Sequence, residues 1–195
     1  MTEPITTAEL KAHLRINHDT QDTYLDTLIA TAREEVERDT WRGLVAASKT
    51  FALRAFPDRS NGDQKIYVPF APLRSVTSIT YRNESGGSVV LDPSLYVVDV
   101  IHEPGTIEPA PNQSWPGTQD HPAAVVIVAA CGYVNAAGVP VALKHAVKLI
   151  AAELFQAATP MALSPSGGGT GTLRTTLDRL LEKWRVRCAG ILESV

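Results

Sequence analysis

The sequence predicts an α+β protein: a helical bundle made by the N- and C-terminal segments, with a β-rich insertion in the middle. Three observations predict it. Apolar residues recur at helical spacing up to about Trp41, the pattern changes to alternation from about Ser48, and helical spacing returns after Pro140. At 195 residues the chain is long enough for one well-buried core and short for two, so a single domain over 1–195 is expected. Within it, 1–44 and 139–158 form the helical core, 45–137 the β-rich insertion, 159–172 a flexible linker and 173–195 a C-terminal helix.

The elements follow in order. Thr6 and Glu9 in TTAELKAHLRI have capping-box spacing, which predicts a short helix ending at about Leu14 or Arg15. Asp19 and Asp22 offer a second cap, and Leu25, Leu28, Ile29, Ala32 and Val36 then keep to one face of an amphipathic helix that Gly43 closes. In KTFALRAF, Phe51, Leu53 and Ala55 alternate with Thr50, Ala52 and Arg54, as in a strand. KIYV, VTSITYR, SVVL and LYVVDVI are further short strands, separated by NESGG and DPS, whose residues supply turn dihedrals. Pro69 and Pro72 stand ahead of one of them, and Ser85-Gly86-Gly87 sets a hairpin register.

The segment from His102 to Pro122 carries five of the thirteen prolines, which predicts a long surface excursion with one short strand at Thr106 to Glu108. Ala124 to Tyr133 is apolar on both faces and is expected to be central in its sheet. After Pro140, Leu143, Val147, Ile150 and Leu154 form a stripe, and the alanines at 142, 146, 151 and 152 allow close helix packing. TPMALSPSGGGTGT reads as a tether; beyond it Leu173, Leu177, Leu180, Leu181, Trp184 and Cys188 share a helical face.

Composition excludes several function classes. With 44% hydrophobic and 20% charged residues the chain is an ordinary globular one, and a net charge of -3 with a pI near 5.9 argues against an avid nucleic-acid binder. The run AAVVIVAAC is far shorter than the roughly 20 apolar residues that cross a bilayer, and the start carries no basic-then-apolar signal. Cys131 and Cys188 form no CxxC, so free buried thiols in a reducing compartment are expected.

No catalytic, cofactor-binding or metal-binding constellation is visible. GGGTGT lacks the GK[ST] ending of a phosphate loop; the histidines at 13, 18, 102, 121 and 145 include no HExxH; serine occurs in no GxSxG. The carboxylates of the second helix read as a solvated face, and Trp115 as an aromatic anchoring its loop to the sheet. One non-random feature is a charge asymmetry. Thr20 to Trp41 holds six acidic against two basic residues, whereas Leu173 to Cys188 holds five basic against two acidic. Pairing of two helices inside one bundle and an intermolecular role both account for it. The tethered cationic helix is a candidate docking element, with Leu177, Leu180, Leu181 and Trp184 as its apolar face and Arg185 and Arg187 as orienting charges.

The order of these features resembles that of head-tail connector (adaptor) proteins of tailed bacteriophages and gene transfer agents. The resemblance rests on TTAELKAHLRINHDTQDTYLDTLIATAREEVERDTWRGL, on VPFAPLRSVTSITYRNESGGSVVLDPSLYVVD, and on SWP followed by VVIVAACGYVNAAGVPVALKHAVKLIAAELFQ. It spans roughly residues 6 to 158; Trp41 stands where the family commonly has tyrosine or threonine, and the tail matches loosely. It implies a non-enzymatic virion protein of the neck, assembled in the host cytoplasm. Such a protein forms a ring of twelve copies beneath the portal, extends the DNA channel and receives the stopper or tail-completion protein. The implied partners are thus the portal, the stopper and further copies of the chain. DNA passes without sequence-specific binding, and no membrane or cofactor is involved. The docking helix would then meet the portal. Two other classes stay open: a DNA-packaging accessory protein that binds DNA, and a small enzyme with a pocket joining His145 and Glu153.

Overall fold

The computed structural model describes residues 2–58, 64–158 and 169–186. The protein is α+β, with four helices and two antiparallel sheets among the described residues. These residues divide into two compact units, one of 2–45 with 133–185 and one of Ala46–Gly132 with Val186.

The first unit is helical. Helix α1 (Thr7–Leu14) starts at the expected capping box: Thr6 Oγ accepts the Glu9 N–H at 3.2 Å, and the Glu9 carboxylate accepts the Thr6 N–H at 3.0 Å. Both orphan donors are thereby satisfied. Helix α2 (Asp22–Thr40) has no side-chain cap, contrary to the Asp19–Asp22 expectation. Lys11 takes both carboxylates instead, Asp22 at 2.9 Å and Asp19 more closely. The helix also stops short of Gly43, because Trp41 already adopts a left-handed conformation at φ 53° and ends it.

Helix α3 (Val141–Ala157) buries Leu143, Ala146, Val147, Ile150, Ala151 and Ala152. The small alanines let it sit closely on α2. Their shared core takes in Leu10 of α1 with Leu25, Ile29, Ala32 and Val36 of α2. Arg33 braces the same helix, with Nε on Glu3 at 2.9 Å and Nη1 on Glu37 at 3.0 Å. Helix α4 (Gly169–Leu181) begins earlier than the expected Leu173, taking in Gly169 to Thr172 despite their weak helix propensity. Residues 159–168 of the expected linker lie outside the described residues.

The described residues of the second unit hold seven strands. Strands β1 (Ala47–Leu53), β7 (Val125–Cys131), β3 (Leu73–Arg82) and β4 (Ser88–Val90) lie in the order β1-β7-β3-β4, so the strand apolar on both faces is internal as expected. Phe51 and Ile79 both oppose Ile127, which places these three on one face. A second sheet joins β2 (Ile66–Tyr67), β6 (Thr106–Pro109) and β5 (Tyr96–Asp99) in the order β2-β6-β5. Both sheets contribute to one apolar core containing Ile66, Ile79, Ile107, Val125 and Ile127. The hairpin at Gly86 (φ 83°) is closed by Asn83, whose N–H reaches the Gly87 carbonyl at 2.9 Å while its carbonyl accepts from Gly86 at 2.8 Å. Trp115 anchors its loop as expected: it stacks on Phe56 at 4.7 Å, and its indole N–H donates to the Gln64 carbonyl at 2.8 Å.

Candidate docking helix and its seat

The sequence places the candidate docking residues on α4 and the turn after it. The structure shows what they touch. Leu181 is 1% exposed and belongs to the core of the helical unit. Leu177 and Trp184 are half-buried and pack against that core; Leu180 is half-buried without a place in it. The apolar face is therefore largely engaged within its own subunit.

The C-terminal helix was expected over 173–195, but α4 ends at Leu181, followed by a 3-10 turn over Glu182–Trp184; residues 187–195 lie outside the described residues. The far end of that turn is held by Arg42, which follows α2. Its Nε–H donates to the Trp184 carbonyl at 2.6 Å, and its guanidinium stands 5.4 Å from the centre of the indole. Arg42 itself is only 6% exposed. Lys183 approaches the same ring at 5.7 Å.

Arg185 folds back on its own helix, with Nη2 on Asp178 at 2.8 Å and Nη1 on Glu182 at 3.0 Å. The hydrogen bond that Arg185 donates to the Asp178 carboxylate is the chief cause that raises its basicity above the ordinary guanidinium value. The charge asymmetry is not resolved by pairing between α2 and α4: among the described residues no ion pair joins α2 carboxylates to Arg174, Arg179, Lys183 or Arg185. Instead α2, α3 and α4 line a polar cleft of about 540 Å³ that mixes both signs of charge, with Glu35, Arg38 and Asp39 from α2, Glu153 from α3, and Arg174 and Asp178 from α4. Arg187 and Cys188 lie outside the described residues.

Among the described residues the expected pocket joining His145 and Glu153 is not formed. Glu153 lines the cleft, but His145 does not; it is exposed and meets His13 edge-on at 6.1 Å. Cys131 is a free, buried thiol, pushed up to about 11 by desolvation. Among the described residues no group of three or more His, Cys, Asp or Glu side chains could hold a metal ion, and no helix is long and apolar enough to cross a membrane.

This succession of a capped short helix, an amphipathic second helix and a proline-led hairpin can be compared with known proteins. Residues 4–87 match the phage gp6-like head-tail connector protein family. The resemblance read from the sequence is borne out over that part of the chain. Among curated proteins none matches. Solved structures extend the likeness to nearly the whole chain. One chain from the virion of a native gene transfer agent particle superposes with a TM-score of 0.72 at 23% identity, covering 97% of this chain and 95% of that one. A chain from the neck of an empty gene transfer agent particle, computed with C6 symmetry, gives 0.71 at 22%, over 96% and 92%. A third, from the neck of a native particle computed with C12 symmetry, gives 0.65 at 22%, over 94% and 90%. At these identities the likeness is one of fold.

Arg42 is the contact holding this end of the chain that sequence reasoning missed. It lies 142 residues from its partner Trp184, and no local pattern signals such a pair.

Proposed function

We propose that the protein is a structural head-tail adaptor of a phage-like particle, located in the neck. Copies of the chain, twelve in number, form a ring beneath the portal, extend the DNA channel and receive the stopper or tail-completion protein. The observation that carries this reading is the fold. It superposes along 94–97% of the chain on chains from gene transfer agent particles, two of them from necks computed with cyclic symmetry, and residues 4–87 match the connector family. A net charge of -3 suits a channel wall along which DNA slides without being retained.

The helical unit, on this reading, is the bundle that carries the β-rich region as an insertion, and the C-terminal helix contacts the portal. Because Leu181 is buried and Arg185 is already paired, docking through the apolar face requires the helix to leave its seat. The alternative is contact through the exposed side that carries Arg179 and Lys183 while the helix stays in place.

Cosedimentation of the purified full chain with portal-containing heads tests the proposal. Capture at physiological salt, with no salt-sensitive binding to free DNA, is expected. Retention on free DNA with no capture by heads would favour a packaging accessory instead.

A further inference from the structure

The chain has five histidines, and their surroundings sort them. Three have a ring nitrogen already engaged. His18 Nδ1 meets Thr20 Oγ1 at 2.8 Å, His102 Nδ1 meets the Asp99 carboxylate at 2.6 Å, and His121 Nδ1 accepts the Ala123 N–H at 3.0 Å. The other two stand together. His13 of α1 and His145 of α3 are both exposed, with ring centres 6.1 Å apart and ring planes at 89°. Among the described residues the ring nitrogens of this pair have no hydrogen-bond or ion-pair partner.

Both rings are carried by elements that hold their places. Leu10 of α1 and Ala146 and Val147 of α3 are fully buried in one core, which fixes the two helices against each other. Glu9, one turn before His13, meets Lys148, one turn along α3 from His145, at 3.7 Å. The histidines thus make a second rung between the helices beside an ionic one. Of the cations next to His145 on α3, Lys148 is directed at Glu9 and Lys144 is half-buried. The rings themselves are free to turn about χ2, a broad torsion for imidazole.

Imidazole nitrogen is the commonest protein ligand of borderline divalent metals. With metal–nitrogen bonds of about 2 Å and each nitrogen about 1 Å from its ring centre, two imidazoles on one four-coordinate ion have centres about 5 to 6 Å apart. The spacing of His13 and His145 lies at the wide end of that range, so a small turn of the rings brings one nitrogen of each onto a common point. We propose that His13 and His145 form a two-histidine site for a divalent transition-metal ion of the zinc class, with water completing the coordination. Glu9 is not a third ligand, because its carboxylate is committed to Lys148 and the Thr6 N–H. The ion bridges α1 to α3, so binding stabilises the folded unit over the unfolded chain. This inference is independent of the neck reading.

Titration of the purified full chain with Zn2+, followed by isothermal calorimetry, tests it. Saturable binding is expected, weakened about tenfold or more in His13→Gln and in His145→Gln and unchanged in His121→Gln. Glutamine keeps a good helix former at each exposed position, and circular dichroism checks that the fold persists. The wild-type chain supplies a second readout that needs no substitution. Zinc should raise its melting temperature and shift the NMR signals of two imidazoles, those that the substitutions remove. Wild-type affinity in either His13→Gln or His145→Gln would overturn the site, as would zinc that shifts only the signals of His18, His102 or His121. A melting temperature that saturating zinc leaves unchanged or lowers would overturn the bridge between the helices.

Discussion

Leu180 and Leu181 are neighbours of the same chemistry in different places, so truncating each measures the seat of α4 directly. Leu181 is 1% exposed in the core of the helical unit, whereas Leu180 is half-buried and outside that core. Leu→Ala at a fully buried site removes transfer free energy and leaves a cavity, together about 2 to 5 kcal/mol. The lower part of that range, about 2 to 3 kcal/mol, is expected for Leu181→Ala, because a terminal helix can settle into the space. At Leu180 the loss should stay below about 1 kcal/mol, as less of the side chain leaves water on folding. Urea unfolding of the two variants and wild type, followed by circular dichroism, provides the values, with the m-value checking that the unfolded state is unchanged. Equal, small effects at both positions would refute the seat and leave the apolar face free for a partner.

Three further outcomes follow from local geometry. Gly105→Ala should destabilise the β unit by about 1 to 3 kcal/mol, since a Cβ there would lie 2.6 Å from Leu73 Cβ and 3.1 Å from the Asp99 carbonyl; a thermal melt unchanged from wild type would count against that packing. Hydrogen bonding from His102, then from the Ile101 and His102 N–H groups, holds the Asp99 carboxyl below its ordinary value. Its contribution is therefore present above the unfolded-state value of about 4 and is lost as pH falls through the depressed folded value. Protection factors of the Ile101 and His102 amides, that is, exchange rates corrected for the intrinsic pH dependence, should hold from neutral pH down to about 5 and fall on further acidification; loss of protection already near neutrality would contradict the brace. Cys131, buried and with its thiol pushed up to about 11, should resist iodoacetamide in the native protein and react in denaturant, read by mass spectrometry; native alkylation at the rate of a free thiol would refute its burial.

Local and periodic signals made much of the fold legible. Thr6 with Glu9 marks a helix start because the capping box is completed within four residues. Alternation around Phe51 marks a strand because one face is buried in the apolar core, and the run around Ile127, apolar on both faces, marks an internal one. What escaped the sequence depends on partners far along the chain. Asp19 and Asp22 looked like a cap for α2, yet Lys11 on the preceding helix outcompetes the backbone N–H groups for them. The seat of α4 was equally hidden: the same stripe of leucines serves a core and a docking face, and only the contacts of Leu181 with the core and of Arg42 with Trp184 show that the core holds it. The outer sheet faces were half legible, since strand alternation identifies outward residues but not which strands lie side by side.

The central claim is that this chain forms a ring in the neck, and electron microscopy of portal-containing heads incubated with the purified protein tests it most directly. The account predicts added density in the form of a closed ring, coaxial with the portal channel and of cyclic symmetry, into which the fold described above fits one chain per subunit. Heads that gain no density at the portal, or that gain it away from the channel axis, would contradict it.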